Sequence, residues 1–240
     1  MKKTIFITGS SEGIGLQIGK KFLAENFQVI INSRKKLKKK LKNLDHIKGD
    51  MTNLQDVKKV SKIIKKRVKR LDVLVCNVGY GKYKYNEFPS LKETQDSLDK
   101  NFYSCFLILN ELKNFLIKSK SKIICISSIC GTEIIKNAPI SYSISKSLLN
   151  IYLKHLSKSF AKNGVNLNII SPGNIIFDGS TWDKKMKKNK KNTIKYVKDN
   201  VPVNKFGSPK DIANAVFFLS SKENNFISGA NLLIDGGQTN

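Results

Sequence analysis

The stretch TIFITGSSEGIG (residues 4–15) runs from a short apolar segment through a glycine-rich turn into the helix-forming sequence IGLQIGKKFLAENF. Glycines in such a turn let the backbone approach a pyrophosphate, and the helix that follows presents unpaired N–H groups and a favourable dipole to it. Gly9, Gly13 and Gly15 are the residues that would permit this approach. A glycine cluster alone is a weak signal, but its place after the first strand of an α/β pattern favours nucleotide binding.

Apolar, β-branched runs recur along the chain with helical segments between them. They cover residues 4–8, 28–31, 73–76, 122–126, 165–170 and 231–234. Continuous apolarity is typical of strands covered on both faces, and strands that alternate with helices predict an α/β fold with a doubly wound parallel sheet. We find no internal repeat and no linker-like segment, so we expect one domain over residues 1–240.

The formal net charge of +26 raises the alternative of a nucleic-acid or acidic-membrane binder, because clustered Lys and Arg attract phosphates whatever their sequence. However, lysine, asparagine and isoleucine are abundant together along the whole chain, as an AT-rich coding sequence would give, and no aromatic pattern interleaves the basic runs. In residues 34–44, Leu37, Leu41 and Leu44 recur at helical spacing, which predicts an amphipathic helix with a solvated lysine face. We therefore expect neither a nucleic-acid nor a membrane partner.

The apolar runs are far shorter than the roughly 20 residues that span a bilayer. The N-terminus leads into a strand-like run without a signal-peptide core, so we expect a soluble, cytoplasmic protein. The four cysteines have no CxxC spacing, and three of them lie in or beside apolar runs. We expect reduced thiols and no metal site.

Two tyrosines precede a lysine by four residues, Tyr80 before Lys84 and Tyr142 before Lys146. In a chain with 44 Lys and Arg residues, that spacing alone decides nothing. Tyr142 and Lys146 begin a long helical segment, where a four-residue separation puts both on one helix face. Tyr80 and Lys84 lie in a glycine-containing loop without helical periodicity. We interpret Tyr142 and Lys146 as the functional pair, because a nearby ammonium favours the phenolate of a tyrosine whose unperturbed pKa is about 10.

Several motifs together resemble the short-chain dehydrogenase/reductase family, and the resemblance covers nearly the whole chain. Residues 8–15 have the spacing TGxxxGxG, and the other matching segments are GDMT (49–52), CNVG (76–79), SSICG (127–131) and SPGNI (171–175). Cys76 and Val78 depart from the family's NNAG, and Phe177 stands where the family commonly has a threonine that binds the carboxamide. The resemblance implies a single Rossmann domain and is closest to the 3-oxoacyl-carrier-protein reductase-like group.

The resemblance also implies a catalytic set and a cofactor site. Tyr142 would be the acid/base, Lys146 would hold the nicotinamide ribose, Ser128 would hold the carbonyl oxygen, and Asn101 would position a water that relays protons to the lysine. The residues implied in cofactor binding are Gly9, Ser11, Gly13, Ile14, Gly15, Ser33, Arg34, Asp50, Asn77, Gly79, Tyr142, Lys146, Pro172, Gly173 and Ile175.

The resemblance implies that Asp50 contacts the adenine. Asn77 could contact the cofactor or, equally, use its side-chain hydrogen bonds to support a turn. The second strand ends in NSRK (residues 32–35), without the carboxylate that would accept ribose hydroxyls and repel a 2′-phosphate. Arg34 is suited to a phosphate, whereas Glu12 argues mildly the other way, so NADP(H) is favoured over NAD(H).

The polar, lysine-rich residues 178–200 fall where the family carries its substrate-covering segment. We expect a mobile lid with Trp182 facing the substrate, and its lysines either attract an acidic substrate or reflect composition. The C-terminal segments resemble features associated with homotetramers, a homodimer being the alternative. The expected function is hydride transfer between NADP(H) and a small-molecule or acyl-carrier-linked carbonyl or secondary alcohol. A non-catalytic NAD(P)-binding regulatory or scaffold protein is the alternative.

Overall fold

The computed structural model describes residues 2–35 and 43–239, and its centre is one seven-stranded sheet with the strand order β3-β2-β1-β4-β5-β6-β7. Every neighbouring pair of strands is parallel. The strands are β1 (Thr4–Ile7), β2 (Gln28–Ser33), β3 (Leu44–Lys48), β4 (Val73–Cys76), β5 (Lys122–Ile126), β6 (Asn166–Pro172) and β7 (Asn231–Ile234). The doubly wound parallel α/β sheet predicted from the sequence is confirmed.

Strand β3 is the strand that the apolar runs did not predict. Only Ile47 of its sequence LDHIK is buried and the other four residues are partly or fully exposed, because β3 lies at the edge of the sheet. The helix predicted over residues 34–44 is wrong at its end, since Leu44 begins β3. Leu37 and Leu41 lie outside the described residues.

Helices cover both faces of the sheet. The α-helices are α1 (Gly13–Ala24), α2 (Leu54–Arg67), α3 (Leu91–Leu98), α4 (Ser104–Ser119), α5 (Ile140–Lys162), α6 (Thr181–Lys188), α7 (Lys190–Asn200) and α8 (Pro209–Ser220). A π-helical turn, Asp99–Tyr103, joins α3 to α4, and a 3₁₀ turn, Ile129–Gly131, follows β5. No helix within the described residues is both long enough and apolar enough to cross a membrane.

The core has two halves, one on each face of the sheet. On one face, α1 and α8 bury side chains such as Phe22 and Val216 against the sheet. On the other face, α2, α4 and α5 contribute residues such as Ile64, Leu112 and Leu153. Burying side chains of this size stabilises the fold by roughly 1.5–3 kcal/mol each.

Residues 178–200 form the helices α6 and α7. Trp182 was expected to face a substrate, but its ring stacks on Tyr196 with centroids 5.1 Å apart and lies 5.3 Å from Phe206. Val197 is buried at 3% exposure. The few apolar side chains of this segment are thus used to hold its two helices together.

Candidate functional site

A cleft of about 470 Å³ opens at the carboxyl ends of β1, β2 and β4. Nine of the sequence-predicted residues line it: Gly9, Ser11, Gly13, Ile14, Ser33, Arg34, Asp50, Asn77 and Gly79. The neighbouring strand ends of a parallel sheet are the usual place for a bound nucleotide in such folds.

The glycine-rich turn needs its glycines for two different reasons. Gly9 and Gly13 have φ values of +60° and +56°, in the left-handed region that side-chain-bearing residues rarely adopt. Gly15 lies beneath the turn, where a Cβ atom would come within 2.5 Å of the Asn77 side-chain nitrogen and 2.8 Å of the Gly9 carbonyl oxygen. The N-cap residue of α1, Glu12, makes no side-chain capping hydrogen bond, so the first N–H groups of α1 have no cap from that side chain.

Asn77 ties the glycine turn to the end of β4. Its side-chain nitrogen donates to the carbonyl oxygens of Gly9 at 2.8 Å and Thr8 at 3.3 Å, and its backbone N–H donates to the Thr8 hydroxyl at 3.0 Å. Asn77 thus supports the turn and also lines the cleft.

The end of β2 presents a hydroxyl and a cation to the cleft. The Ser33 hydroxyl contacts the Nε2 atom of His46 at 2.9 Å. Arg34 is exposed, and its guanidinium lies 3.9 Å from the Asp50 carboxylate. Asp50 in turn accepts hydrogen bonds from the backbone N–H and hydroxyl of Thr52, both at 2.9 Å, so its carboxylate is fixed at the cleft wall.

Asn101 is fully buried in the π-helical turn, and its amide clamps the backbone of Tyr80. Its side-chain oxygen accepts from the Tyr80 N–H at 2.8 Å, and its nitrogen donates to the carbonyl oxygens of Tyr80 and Ser97, both at 3.0 Å. A Cβ atom on Gly79 would lie 3.3 Å from the Asn101 oxygen and 3.4 Å from the Lys146 Nζ atom. Asn101 and Lys146 therefore meet beneath the loop that follows β4.

Ser128, Tyr142 and Lys146 come together beside that loop. Ser128 ends the segment after β5 and caps the 3₁₀ turn by accepting from the Cys130 N–H at 3.2 Å. Tyr142 and Lys146 lie on one face of α5, with the ammonium 5.8 Å from the centre of the phenol ring. The ammonium donates to the Ile126 carbonyl oxygen at 3.0 Å.

Burial sets the protonation states of this pair. Burial raises the pKa of Tyr142, the Cys130 thiol acts in the same direction, and a hydrogen bond with Ser128 opposes them. Burial also lowers the pKa of Lys146 to about 8. The pKa of Tyr142 is thus raised, and not lowered as expected from a neighbouring ammonium, because desolvation is the largest influence on it. At neutral pH the site holds a neutral phenol and a protonated amine.

The other tyrosine–lysine pair has a different environment. Tyr80 is 37% exposed, its ring lies edge-on to Tyr83 at 5.1 Å, and the Lys100 ammonium lies 4.7 Å from its centre. Lys84 is exposed in a segment without helix or strand. Tyr80 and Lys84 are thus not presented by one helix face, unlike Tyr142 and Lys146.

The segment after β6 forms a wall next to the glycine turn. A Cβ atom on Gly173 would come within 2.7 Å of Asp235, and the Ile175 side chain is buried against Gly207. Phe177 lines the cleft, with its ring 2.5 Å from where a Gly13 Cβ atom would stand. The Ser180 hydroxyl accepts hydrogen bonds from the Phe177 N–H at 3.2 Å and from the Asp183 N–H at 3.1 Å, and it thereby caps α6.

Sequence reasoning missed a charged and aromatic group at the rim of the cleft. The Tyr83 hydroxyl donates to Asp96 at 2.8 Å, and the Lys100 ammonium lies 2.6 Å from the same carboxylate. Lys100 also lines the cleft. Its position next to Asn101 gave no signal, because adjacent residues on a helix point in different directions.

The residues present fit a nicotinamide dinucleotide. The left-handed glycines and the Cβ-free position of Gly15 allow close approach of a pyrophosphate to the start of α1. Polar groups at the ends of β2 and β3 would surround the adenosine half, while Lys146 lies next to the loop that bounds the other half.

Comparison with known proteins agrees with this geometry. A family model described as Enoyl-(Acyl carrier protein) reductase matches residues 9–239. The 3-oxoacyl-[acyl-carrier-protein] reductase FabG of Buchnera aphidicola is 32% identical, with 98% of this chain and 97% of that protein covered. Glucose 1-dehydrogenase 2 of Bacillus subtilis is 28% identical, with 99% and 95% covered.

Solved structures with bound nicotinamide cofactors are also similar. A short chain dehydrogenase from Leptospira borgpetersenii with bound NAD+ has a TM-score of 0.89 and 26% identity, with 100% of this chain and 94% of that chain covered. ElxO with NADP bound has a TM-score of 0.90 and 27% identity, with 99% of both chains covered.

The contact between Gly13 and Phe177 gives a test of the site geometry. Gly13→Ala should destabilise the protein by about 1–2 kcal/mol through its left-handed backbone, and by a further amount through the clash with the ring. Gly179→Ala is the matched control, since Gly179 has φ +77° with nothing within 4 Å of its Cβ position. In a Phe177→Ala background the two alanine substitutions should cost the same. Urea denaturation measures these differences, and an excess cost at Gly13 that persists without the Phe177 ring would contradict the contact.

Proposed function

Because the chain belongs to the short-chain dehydrogenase/reductase family of NAD(P)-dependent oxidoreductases, we propose that it transfers hydride between NADP(H) and a carbonyl or secondary alcohol, with Tyr142 as the acid/base. The observation that carries this proposal is the meeting of Ser128, Tyr142 and Lys146 beside a cleft fitted to a dinucleotide. When bound, the nicotinamide supplies or accepts the hydride.

The protonation states of the site suit carbonyl reduction. Tyr142 holds its proton at neutral pH and would donate it to the carbonyl oxygen as the oxygen gains charge. The Ser128 hydroxyl would donate a hydrogen bond to the same oxygen. Lys146, protonated below a pKa of about 8, would stabilise the phenolate that remains.

For Asn101 we propose a positioning role. Its amide is engaged by the Tyr80 backbone and by Ser97, so it fixes the loop that packs on the catalytic pair. In that loop, a Cβ atom on Gly81 would lie 3.4 Å from the Tyr142 ring. The water-positioning role implied by the resemblance would have to be compatible with these bonds.

The preference for NADP(H) is supported by the end of β2. Its last residues present Ser33 and Arg34 to the cleft and no carboxylate, and Arg guanidinium groups recognise phosphate well. Asp50 lies 3.9 Å from Arg34, so it orients the guanidinium and also partly neutralises it. Glu12 lines the cleft too, and it is the residue that argues for NAD(H).

We propose a carbonyl substrate on a small molecule or an acyl carrier, by similarity to the reductase and dehydrogenase relatives. Helices α6 and α7 would be the lid that covers it. The base of this segment is joined to the loop after β4, where the Lys82 ammonium donates to the Gly179 carbonyl oxygen at 3.2 Å. Three lid lysines already have partners: Lys187 pairs with Asp183 at 2.7 Å, Lys195 pairs with Asp199 at 3.7 Å, and Lys185 lies over the Trp182 ring at 4.4 Å.

A homotetramer is the assembly that we propose. Two separate surfaces expose large apolar side chains, one on α4 and α5 and one on α8 and β7. The exposed residues are Tyr103, Ile144, Leu148 and Ile151 on the first surface, and Phe218 and Leu232 on the second. A tetramer with paired two-fold axes needs two separate surfaces on each chain, whereas a dimer would cover one of them.

Tyr142→Phe separates the enzyme from a non-catalytic nucleotide-binding protein. The substitution removes the transferable proton, so kcat for ketone reduction should fall at least about a hundredfold, while NADPH affinity stays nearly unchanged. Tyr80→Phe is the control and should be close to neutral. Steady-state kinetics and NADPH fluorescence titration give the two readouts. Full activity in Tyr142→Phe, or a larger loss in Tyr80→Phe, would overturn the catalytic assignment.

The pKa of Lys146 predicts a pH dependence. Because burial lowers this pKa to about 8, the amine loses its charge as pH rises through that value, and kcat/KM for NADPH should decrease accordingly. This parameter reports groups of the cofactor-free enzyme. Tyr80→Phe should keep the same profile. A profile that stays flat from about pH 7 to about pH 10 would show that Lys146 does not titrate as described.

Arg34→Asp tests cofactor choice. The substitution places a carboxylate where the 2′-phosphate is expected, so the ratio of kcat/KM for NADPH to that for NADH should fall by roughly tenfold or more, because a charge-assisted hydrogen bond contributes about 1.5–3 kcal/mol. Arg67→Asp makes the same charge change on the exposed end of α2 and should leave the ratio unchanged. Equal preference for the two cofactors in the unmutated protein would already contradict the proposal.

A further inference from the structure

Three cysteine side chains meet inside the core, away from the cleft. Cys76 and Cys125 are neighbours in register on β4 and β5, and Cys105 packs against them from α4. Their sulfur atoms all lie within 4.8 Å of one another, and those of Cys105 and Cys125 are 3.8 Å apart. Cys76 is 4% exposed, Cys105 is 5% exposed and Cys125 is 0% exposed. Their reduced state was expected from the sequence, but their meeting was not.

The surroundings of this trithiol cluster restrict what it could bind. It lies among apolar side chains such as Phe102, Ile108 and Leu149. Among the described residues, no fourth His, Cys, Asp or Glu joins the group. A structural zinc ion takes four protein ligands, so the cluster is one ligand short of a closed zinc site.

Charge makes a second restriction. A monovalent soft cation such as Cu(I) prefers thiolates, and with three of them it would leave two negative charges in the core, of which the neighbouring Lys146 ammonium offsets only one. Burying an uncompensated charge is costly. A trivalent centre bonded to three thiolates is neutral and needs no fourth ligand. The cluster therefore matches a neutral, three-coordinate centre best.

We propose that Cys76, Cys105 and Cys125 form a binding site for trivalent arsenic, which enters as neutral arsenous acid. In the reaction, As(OH)₃ and three thiols give As(SR)₃ and three waters. Three As–O bonds break and three As–S bonds form, each thiol proton leaves on a hydroxyl group as water, and no group is oxidised or reduced. Neutral reactants thus give a neutral product, which an apolar core accepts.

The distances permit this product with small movements. A centre bonded to sulfur at roughly the 2.3 Å typical of a zinc–thiolate bond holds its sulfurs about 3.5–4.0 Å apart. The sulfurs of Cys105 and Cys125 already meet this requirement at 3.8 Å. The third sulfur, at most 4.8 Å from the others, has to move by about 1 Å.

The cluster adjoins two elements of the proposed catalytic site. Cys76 immediately precedes Asn77, which holds the glycine turn. Cys125 precedes Ile126, whose carbonyl oxygen accepts the hydrogen bond of Lys146. A movement of either sulfur is therefore transmitted through one peptide unit to a residue at the edge of the cleft.

The test uses the full-length protein, reduced with a phosphine and then incubated with arsenite. After desalting, we expect one arsenic per chain by elemental mass spectrometry and a native mass gain of one arsenic less three hydrogens. Under denaturing conditions that preserve the As–S bonds, an alkylating reagent should modify Cys130 and spare the other three cysteines, as shown by peptide mapping. Excess dithiol should remove the arsenic and restore four reactive thiols.

Two variants provide matched controls. Cys130→Ala changes the cysteine that is outside the cluster and should bind arsenic like the unmutated protein, whereas Cys105→Ala should lose binding at least about tenfold because only two thiols remain. Peptide mapping of the unmutated protein keeps the test valid even when Cys105→Ala fails to fold. Three results would overturn the site: no arsenic bound to the protein, protection of Cys130 from alkylation, or stoichiometric binding of Cu(I) in place of arsenite.

A second arm, which rests on the proposed function, measures turnover of the arsenic-loaded protein. We expect kcat to fall in the unmutated protein and in Cys130→Ala, and to recover with excess dithiol. Full turnover with one arsenic bound would contradict the coupling between the cluster and Lys146. It would not contradict the arsenic-binding site itself. Loss of the proposed activity before arsenic is added would instead count against the proposed function.

Discussion

The constraint on which the rest of the structure depends is that the parallel sheet is covered by helices on both faces. Side chains within the central strands meet other apolar side chains, so a polar ligand can reach the sheet only where the strands end. The glycine turn, Asn77 and Ser128 all follow strand ends. Even the buried ammonium of Lys146 finds its partner in the last carbonyl group of β5, so one edge of the sheet organises both the cleft and the candidate catalytic side chains.

Much of the fold could be predicted because buried parallel strands are continuously apolar. Strands β4, β5 and β7 agree with the predicted runs at both ends. Strand β3 could not be found in the same way, since this edge strand buries only Ile47 and LDHIK contains two charged side chains. The helix predicted over residues 34–44 was wrong at Leu44 for a related reason. The three leucines that recur at helical spacing include Leu44, which belongs to strand β3. Hydrophobic period is ambiguous in a segment this rich in lysine.

The candidate site could be predicted where its chemistry depends on local spacing. Tyr142 and Lys146 are brought together by one helix, so their separation in sequence is sufficient. The bonds of Asn101 depend on a π-helical turn and on a loop from another part of the chain, and no local pattern contains that information. The trithiol cluster is the extreme case. Its cysteines come from two strands and a helix, and their sequence spacing has none of the regularity that identifies metal-binding motifs.

Burial raises the pKa of Tyr142 and lowers the pKa of Lys146. In the proposed reaction, these two shifts determine which group donates a proton. Desolvation disfavours the phenolate of Tyr142 and the ammonium of Lys146 at once. The pair therefore favours the two neutral forms as pH rises, and no proton passes from the tyrosine to the lysine in advance. A carbonyl oxygen that gains negative charge beside Ser128 changes this balance, because it becomes a stronger acceptor than any group now facing the phenol. In the proposed reaction, proton donation would thus be tied to hydride arrival, and a tyrosine held neutral would suit reduction better than a preformed phenolate.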